Sequence, residues 1–426
     1  MENGVSEIDD ERFFLAQDGK SNAKNELEAT INALVHETRF DDNATACLFP
    51  ARKRWLQKEL DITELADVEC KEYNKVLKRL DPQSATIVFP AAHINSPASM
   101  FGHTFLRINS SYDSKLLSYA VNYAADTNAD TTNGVIFAIK GLLGGYQGRY
   151  SLLPYYDKLK EYRDTEQRDI WEYDLNLNKE EVQRMVEHIW ELNSANSFYY
   201  FLTENCSYNM LWLIEVARPS IHLRVKFHLA VIPLETIHIA KEANLFAGNH
   251  FRPSKRTILL KYEELLETKY IELPSNIIQS KVKINALMQD VSIPIQQKMY
   301  ILEATIELLE YSFTKSKTDK QTYLKLFHEL SSTRASLGKG KKLHIDTPTN
   351  PIKSHRAIRM MTGIGTRDNE EIGFLGIRPA YHNLEDSSYG FLRGTQIEFL
   401  NLDLSYTNNN KMKIEDLTLL SIVSLA

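Results

Sequence analysis

The period of the apolar residues changes three times along this chain, which restricts it to successive helical and β-containing units rather than one repeated architecture. Between Ser21 and His36, the residues Leu27, Ile31, Leu34 and Val35 recur at helical intervals. Trp55, Leu56 and Leu60 follow Pro50 in the same texture, and Leu65, Val68, Tyr73, Val76 and Leu80 carry it to the break at Asp81-Pro82. Residues 1–82 therefore read as an N-terminal helical unit. Short apolar runs then replace the helical spacing: 85–90, 103–109 and 116–125 read as strands, and 168–177 as another. Asn178 with Glu181 three residues later marks a helix start, carrying Val182, Met185, Ile189, Trp190 and Leu192. Residues 198–201 form a short aromatic strand or turn. Residues 206–218 form an apolar helix stopped by Pro219. Strands and helices mixed in this way predict an α+β unit over 84–245.

Helical spacing returns over 250–348, most clearly at 294–314 and 320–337. From 349 to 426 the pattern is β, because Leu400, Leu402, Leu404 and Tyr406 alternate with polar neighbours up to a turn at Asn408-Asn-Asn410. Such alternation fits a sandwich or a barrel with one wet face. The strands are too few to close a barrel, which needs about eight, so the expectation is a truncated, barrel-like β segment.

Composition excludes whole classes. Apolar residues make up 43% of the chain and charged ones 25%, which is incompatible with global disorder. The net charge of −6, without a block of Lys and Arg, argues against a nucleic-acid partner. No uncharged apolar run reaches the roughly 18 residues of a membrane-crossing helix. The first ten residues lack the basic and apolar regions of an export signal.

Two segments carry candidate chemistry. In Phe101-Gly-His-Thr-Phe-Leu-Arg-Ile108, His103 opens an apolar strand. In Thr203-Glu-Asn-Cys-Ser-Tyr-Asn-Met-Leu-Trp-Leu-Ile214, Cys206 opens a helix directly after Asn205, a good capping residue. A thiol at a helix N-terminus is acidified by the helix dipole, and an imidazole beside it completes a nucleophile–base pair. A packed, inert cysteine and a structural histidine explain the same residues, and both readings stand at this point. Metal chemistry has little support. There is no HExxH, and His222 and His228 lack the spacing of a helical zinc pair. Gly338-Lys-Gly-Lys-Lys342 lacks the spacing and terminal hydroxyl of a phosphate loop, and no GxSxG elbow occurs. No metal and no cofactor is expected.

Cys47 and Cys70 lie 23 residues apart on either side of the segment following Pro50. Their pairing, with Cys206 left free, would suit an oxidising compartment. Two buried free thiols are the alternative.

The segments Ser96-Pro-Ala-Ser-Met-Phe-Gly-His-Thr-Phe-Leu-Arg107, Ser118-Tyr-Ala-Val-Asn-Tyr123 and Glu204-Asn-Cys-Ser207 together resemble the Lnb-type domain, the N-terminal periplasmic domain of a bacterial lipoprotein N-acyltransferase. Gly144-Gly-Tyr146 and Trp171-Glu-Tyr-Asp-Leu-Asn176 extend the resemblance over about 85–245, and the flanking segments look like companion regions of proteobacterial relatives. That domain is similar to circularly permuted papain-like (NlpC-like) folds, in which the His-bearing strand precedes the Cys-bearing helix. Lecithin:retinol acyltransferase shares that order. The resemblance implies Cys206 as nucleophile and His103 as base. Asn122 is the expected third residue fixing the imidazole, with His93 as the rival. Backbone N–H groups at the start of the Cys206 helix would form the oxyanion hole, so Asn205 and Ser207 count for their position. Tyr146, Tyr150 and Tyr155 either line a substrate groove or pack in the core.

The function so implied is an envelope thiol acyltransferase or hydrolase working through a Cys206 acyl-enzyme. Its partners would be a phospholipid and a lipoprotein, with a membrane surface met through the C-terminal β segment. The family's membrane-spanning part is missing here. This keeps open a cell-wall amidase or endopeptidase of NlpC type acting on peptidoglycan peptide, and a non-catalytic outer-membrane-associated module. The expected location is the periplasm or the outer membrane, with the chain shown beginning downstream of its export signal or at a misassigned start.

Overall fold

The computed structural model describes residues 4–60, 65, 68–91, 102–127, 134–367, 369–391, 394–408 and 411–425. Its contacts divide into two compact units. The first holds Met1–Tyr156, Glu172–Asn249 and Thr349–Ala426, and the second holds Asp157–Trp171 and His250–Pro348. The architecture is α+β. Residues 157–171, expected within the 84–245 unit, group with the helices after 250 instead.

A sheet of seven strands carries the middle of the chain. Its strands are β1 (Ser84–Pro90), β2 (Phe105–Asn109), β3 (Tyr119–Ala125), β4 (Tyr146–Pro154), β5 (Ile170–Leu175), β6 (Asn196–Tyr199) and β7 (Phe246–Arg252), in the order β6-β4-β3-β2-β1-β5-β7. Every residue of β2 is buried, as are six of the seven in β1, which explains their nearly continuous apolar sequence. The exceptions to that apolarity are paired. Arg107, across from Thr86 in the β1–β2 register, binds Glu172 at 2.7 Å and Asn109 at 2.6 Å, and both charged side chains are almost fully buried.

The helix Lys179–Glu191 starts in the capping box expected at Asn178 and Glu181, with reciprocal bonds of 2.9 and 2.8 Å. The helix Cys206–Ala217 is buried on nearly every face, packing on β2, β3 and the Lys179–Glu191 helix. An apolar sequence without a wet stripe is what such a position demands.

Toward the N-terminus, Ala23–Val35 is capped by Asn22, and Pro50–Glu59 has Pro50 in its first turn. The next helix runs over Lys71–Leu80, so Leu65 and Val68 precede it rather than share its face. Cys47 and Cys70 form a disulfide with their Cα atoms 5.2 Å apart. In the second unit, Ile295–Thr314 and Lys320–Ser336 pack around Ile301, Leu302, Leu309 and Leu330.

The C-terminal sheet comprises β8 (Arg359–Arg367), β9 (Glu370–Arg378), β10 (Ala380–His382), β11 (Thr395–Thr407) and β12 (Met412–Ser424), all antiparallel. Its register aligns Met360, Ile377, Leu402 and Leu417 in one row, and Thr362, Leu375, Leu404 and Ile414 in the next. The interleaved row Met361, Gly376, Asp403 and Asp416 faces the other way.

Candidate active site

The site begins at a glycine. Gly102 has φ +96°, and a Cβ there would come within 2.9 Å of the Phe89 ring, so only glycine delivers the chain into β2 this way. His103 follows at the strand's entry. Continuing the Leu106–Val121 register by one step sets Asn122 opposite Phe105, and alternation puts His103 on that same face. The outcome is a 2.8 Å hydrogen bond between His103 Nε2 and Asn122 Oδ1. An amide oxygen only accepts, so Nε2 carries the proton, and Nδ1 is left with a lone pair.

Asn205 builds the other half. Its side-chain oxygen accepts from the N–H groups of Ser207 (3.0 Å) and Tyr208 (3.3 Å), while its amide donates to the carbonyls of Phe201 and Val231. This fixes the first turn of the helix and thereby the position of Cys206, whose residue is 5% exposed. Burial pushes the thiol pKa up. The charge and hydrogen bond of His103, a bond from the Thr104 backbone and one from Ser207 outweigh it, lowering the pKa to about 7. His103, Asn122 and Cys206 are thus brought together. The Ser207 hydroxyl also lies 3.0 Å from Thr104 Oγ1, which ties the start of the helix to the entry of β2.

The backbone N–H groups expected to form an oxyanion hole already have partners within the chain. The N–H groups of Ser207 and Tyr208 are consumed by the Asn205 cap, and the Cys206 N–H donates to the Tyr199 hydroxyl at 3.1 Å. Tyr199 is the residue that the sequence reading missed. It sits at the end of β6, and burial followed by the charge of the Cys206 sulfur holds its phenol protonated, with a pKa well above the usual value. A tyrosine seven residues before the cysteine, in an otherwise apolar aromatic cluster, was the available signal. Its hydroxyl meets the backbone donor that an oxyanion would seek.

The three groove candidates divide. Tyr155 is fully buried and bonded through its hydroxyl to Glu172, and Tyr150 is buried with its hydroxyl 2.9 Å from Asn209 Oδ1. Both are core residues, because a buried phenol settles where its hydroxyl finds a partner. Tyr146 is half-buried and stacks on Phe201. His93 lies outside the described residues.

A second histidine cluster, unsignalled by sequence spacing, lies on the C-terminal sheet. His355, His382 and Asp386 place ligand-type atoms within 4.8 Å of one another. Each of the three has partners within the protein. His355 Nε2 and His382 Nδ1 meet each other at 2.9 Å, and Asp386 Oδ2 accepts from Arg378 and from the Asn383 N–H. The donor set fits an internal polar network better than a cation site.

Residues 72–243 match the Lnb N-terminal periplasmic domain. The matched segment contains Gly102, His103, Asn122, Tyr199 and Cys206, and the match supports an envelope-related protein with the periplasm as its location. Residues 1–59, 249–344 and 348–426 match three domains of unknown function, DUF7843, DUF7842 and DUF7840. No curated protein and no solved structure matches the chain. Among the described residues, no helix is long and apolar enough to cross a membrane.

Proposed function

We propose that the protein is a thiol acyltransferase of the bacterial envelope, built on a circularly permuted papain-like core. The observation that carries this reading is a buried thiol whose pKa His103 draws down to about 7, with the same imidazole held from behind by Asn122. His103 Nδ1 takes the thiol proton, and the Cys206 sulfur attacks the carbonyl carbon of a phospholipid ester. The tetrahedral oxyanion lies near the Cys206 N–H and the Tyr199 hydroxyl, and collapses by breaking the C–O bond. The leaving alcohol recovers the proton from His103. An amine, in the Lnb-type reading the α-amine of a lipoprotein's lipidated cysteine, then attacks the thioester and gives a proton to His103; the C–S bond breaks, the amide forms, and the sulfur recovers that proton. His103 serves first as base and then as acid.

Mass spectrometry of Cys206 after incubation with phospholipid tests this. The expected result is an acyl adduct on Cys206, absent from Cys206→Ser and His103→Ala. A phospholipid-derived adduct persisting in Cys206→Ser would remove the assignment of the nucleophile. A peptidyl adduct formed from cell-wall fragments, with no acyl adduct from lipid, would replace the substrate class.

A further inference from the structure

The helix Gly134–Leu142 lies at the surface of the first unit with apolar side chains on both of its faces. Its inner face is packed. Phe137 lies 5.3 Å from the Phe201 ring and 5.5 Å from the Tyr146 ring, and a Cβ at Gly141 would run into Phe201. Its outer face carries Ile136, Ile139 and, one turn on, Leu143, which are 50%, 51% and 74% exposed. The Leu143 N–H bonds the Ile139 carbonyl at 3.0 Å, so the helical path includes it, and the i, i+3, i+7 spacing sets the three side by side. The outer face of Lys71–Leu80, by contrast, shows Lys71, Glu72, Lys75, Lys78 and Arg79. A helix apolar all round belongs in a core or against lipid.

Position and charge indicate what covers it. The Phe201 N–H donates to the Gly141 carbonyl at 2.8 Å, and the Phe201 carbonyl accepts from the Asn205 amide at 3.1 Å. Asn205 caps the Cys206 helix, so the apolar helix is anchored to the turn that presents the thiol. Residues 131–156 hold no Asp or Glu and two exposed cations, Lys140 and Arg149, in a chain whose net charge is −6. Lys140 shares the outer face, one position after Ile139 and one turn after Ile136. An apolar arc with a cation at its edge complements an anionic bilayer, which admits alkyl side chains below its headgroups and attracts Lys and Arg to them.

We infer that the helix Gly134–Leu142 docks the protein on an anionic phospholipid membrane, with Ile136, Ile139 and Leu143 inserted among the acyl chains and Lys140 at the phosphates. The inference deepens the acyltransferase reading, on which it rests for its purpose: it names the surface from which the acyl donor reaches Cys206.

Cosedimentation with vesicles tests it. The native chain should bind phosphatidylglycerol vesicles at least about fivefold more tightly than phosphatidylcholine vesicles, an advantage that about 1 M salt screens away. Ile139→Glu and Leu143→Glu should each weaken binding to both lipids at least about tenfold, because an inserted apolar side chain becomes a carboxylate. Both change exposed positions, and far-UV circular dichroism verifies the fold. Lys140→Gln should cost about fivefold on the anionic vesicles alone. Ile364→Glu, on the bare face of the C-terminal sheet, should bind as the native chain does. Native-like binding by Leu143→Glu overturns the inference, as does a loss seen only with Ile364→Glu. Absence of binding to either vesicle also overturns it, and a native dimer that Leu143→Glu dissociates would then assign the face to a second copy. Sedimentation requires no turnover. Vesicle binding without an acyl adduct on Cys206 sinks the reaction proposed above and spares the docking face, and an adduct without binding does the reverse.

Discussion

The two sheets of the first unit are made from similar residues and put them to opposite use. In β1 and β2 the apolar side chains are hidden, and the few polar ones are buried only where partnered, as Arg107 is with Glu172. In the C-terminal sheet the apolar row is the wet one: Ile364 is 96% exposed, Met412 72% and Leu417 55%. The buried members there include Arg378, Asn401 and Ser405. Alternation thus sorts side chains onto faces, while burial depends on what packs against each face.

The strongest way to break this contrast is at Arg107. Arg107→Ala takes away the cation that faces the buried Glu172 carboxylate, and should destabilise the protein by about 3–5 kcal/mol in denaturant unfolding. Replacing both partners by apolar residues should recover most of that loss. Leu106→Ala should cost about 2–5 kcal/mol because it opens a cavity, whereas Ile364→Ala should stay within about 0.5 kcal/mol. Equal effects at the two positions would show that something covers the C-terminal sheet in solution.

Within the first sheet, His103→Ala sharpens the role of the polar exceptions. It removes the charge and hydrogen bond that hold Cys206 at about 7, leaving burial opposed only by the bonds from Thr104 and Ser207, so the thiol pKa rises. The thiolate fraction grows with pH, so alkylation of the native thiol should be half-maximal near pH 7. The variant should react roughly a hundredfold more slowly at that pH. The smallest effect is expected from Asn205→Ala, which frees the N–H groups of Ser207 and Tyr208. It should lower stability by about 1 kcal/mol and shift the thiol's reactivity only modestly.

Several features were legible because they are local. The capping box at Asn178 and Glu181, the Asn205 cap before Cys206, and the alternation along β11 all depend on residues a few positions apart. Propensity and hydrogen bonding act at that range. The pairing of Cys47 with Cys70 lay nearly as close to hand, since both flank one short helix. The fate of Tyr150 and Tyr155 was not legible, because a tyrosine's hydroxyl chooses core or groove according to partners from other elements.

Taken alone, then, the amino-acid order determined where the Lys179–Glu191 and Cys206–Ala217 helices begin, that β1, β2 and β11 are strands, and which side chains share a face. Only the tertiary structure decided that Asn122 holds His103, that Tyr199 occupies the Cys206 N–H and that one sheet buries its apolar face while the other shows it to water. The physical reason is range. Helix caps and strand alternation are set by bonds and sterics between near neighbours, whereas a thiol's acidity and a side chain's burial are sums over groups that only packing brings into contact.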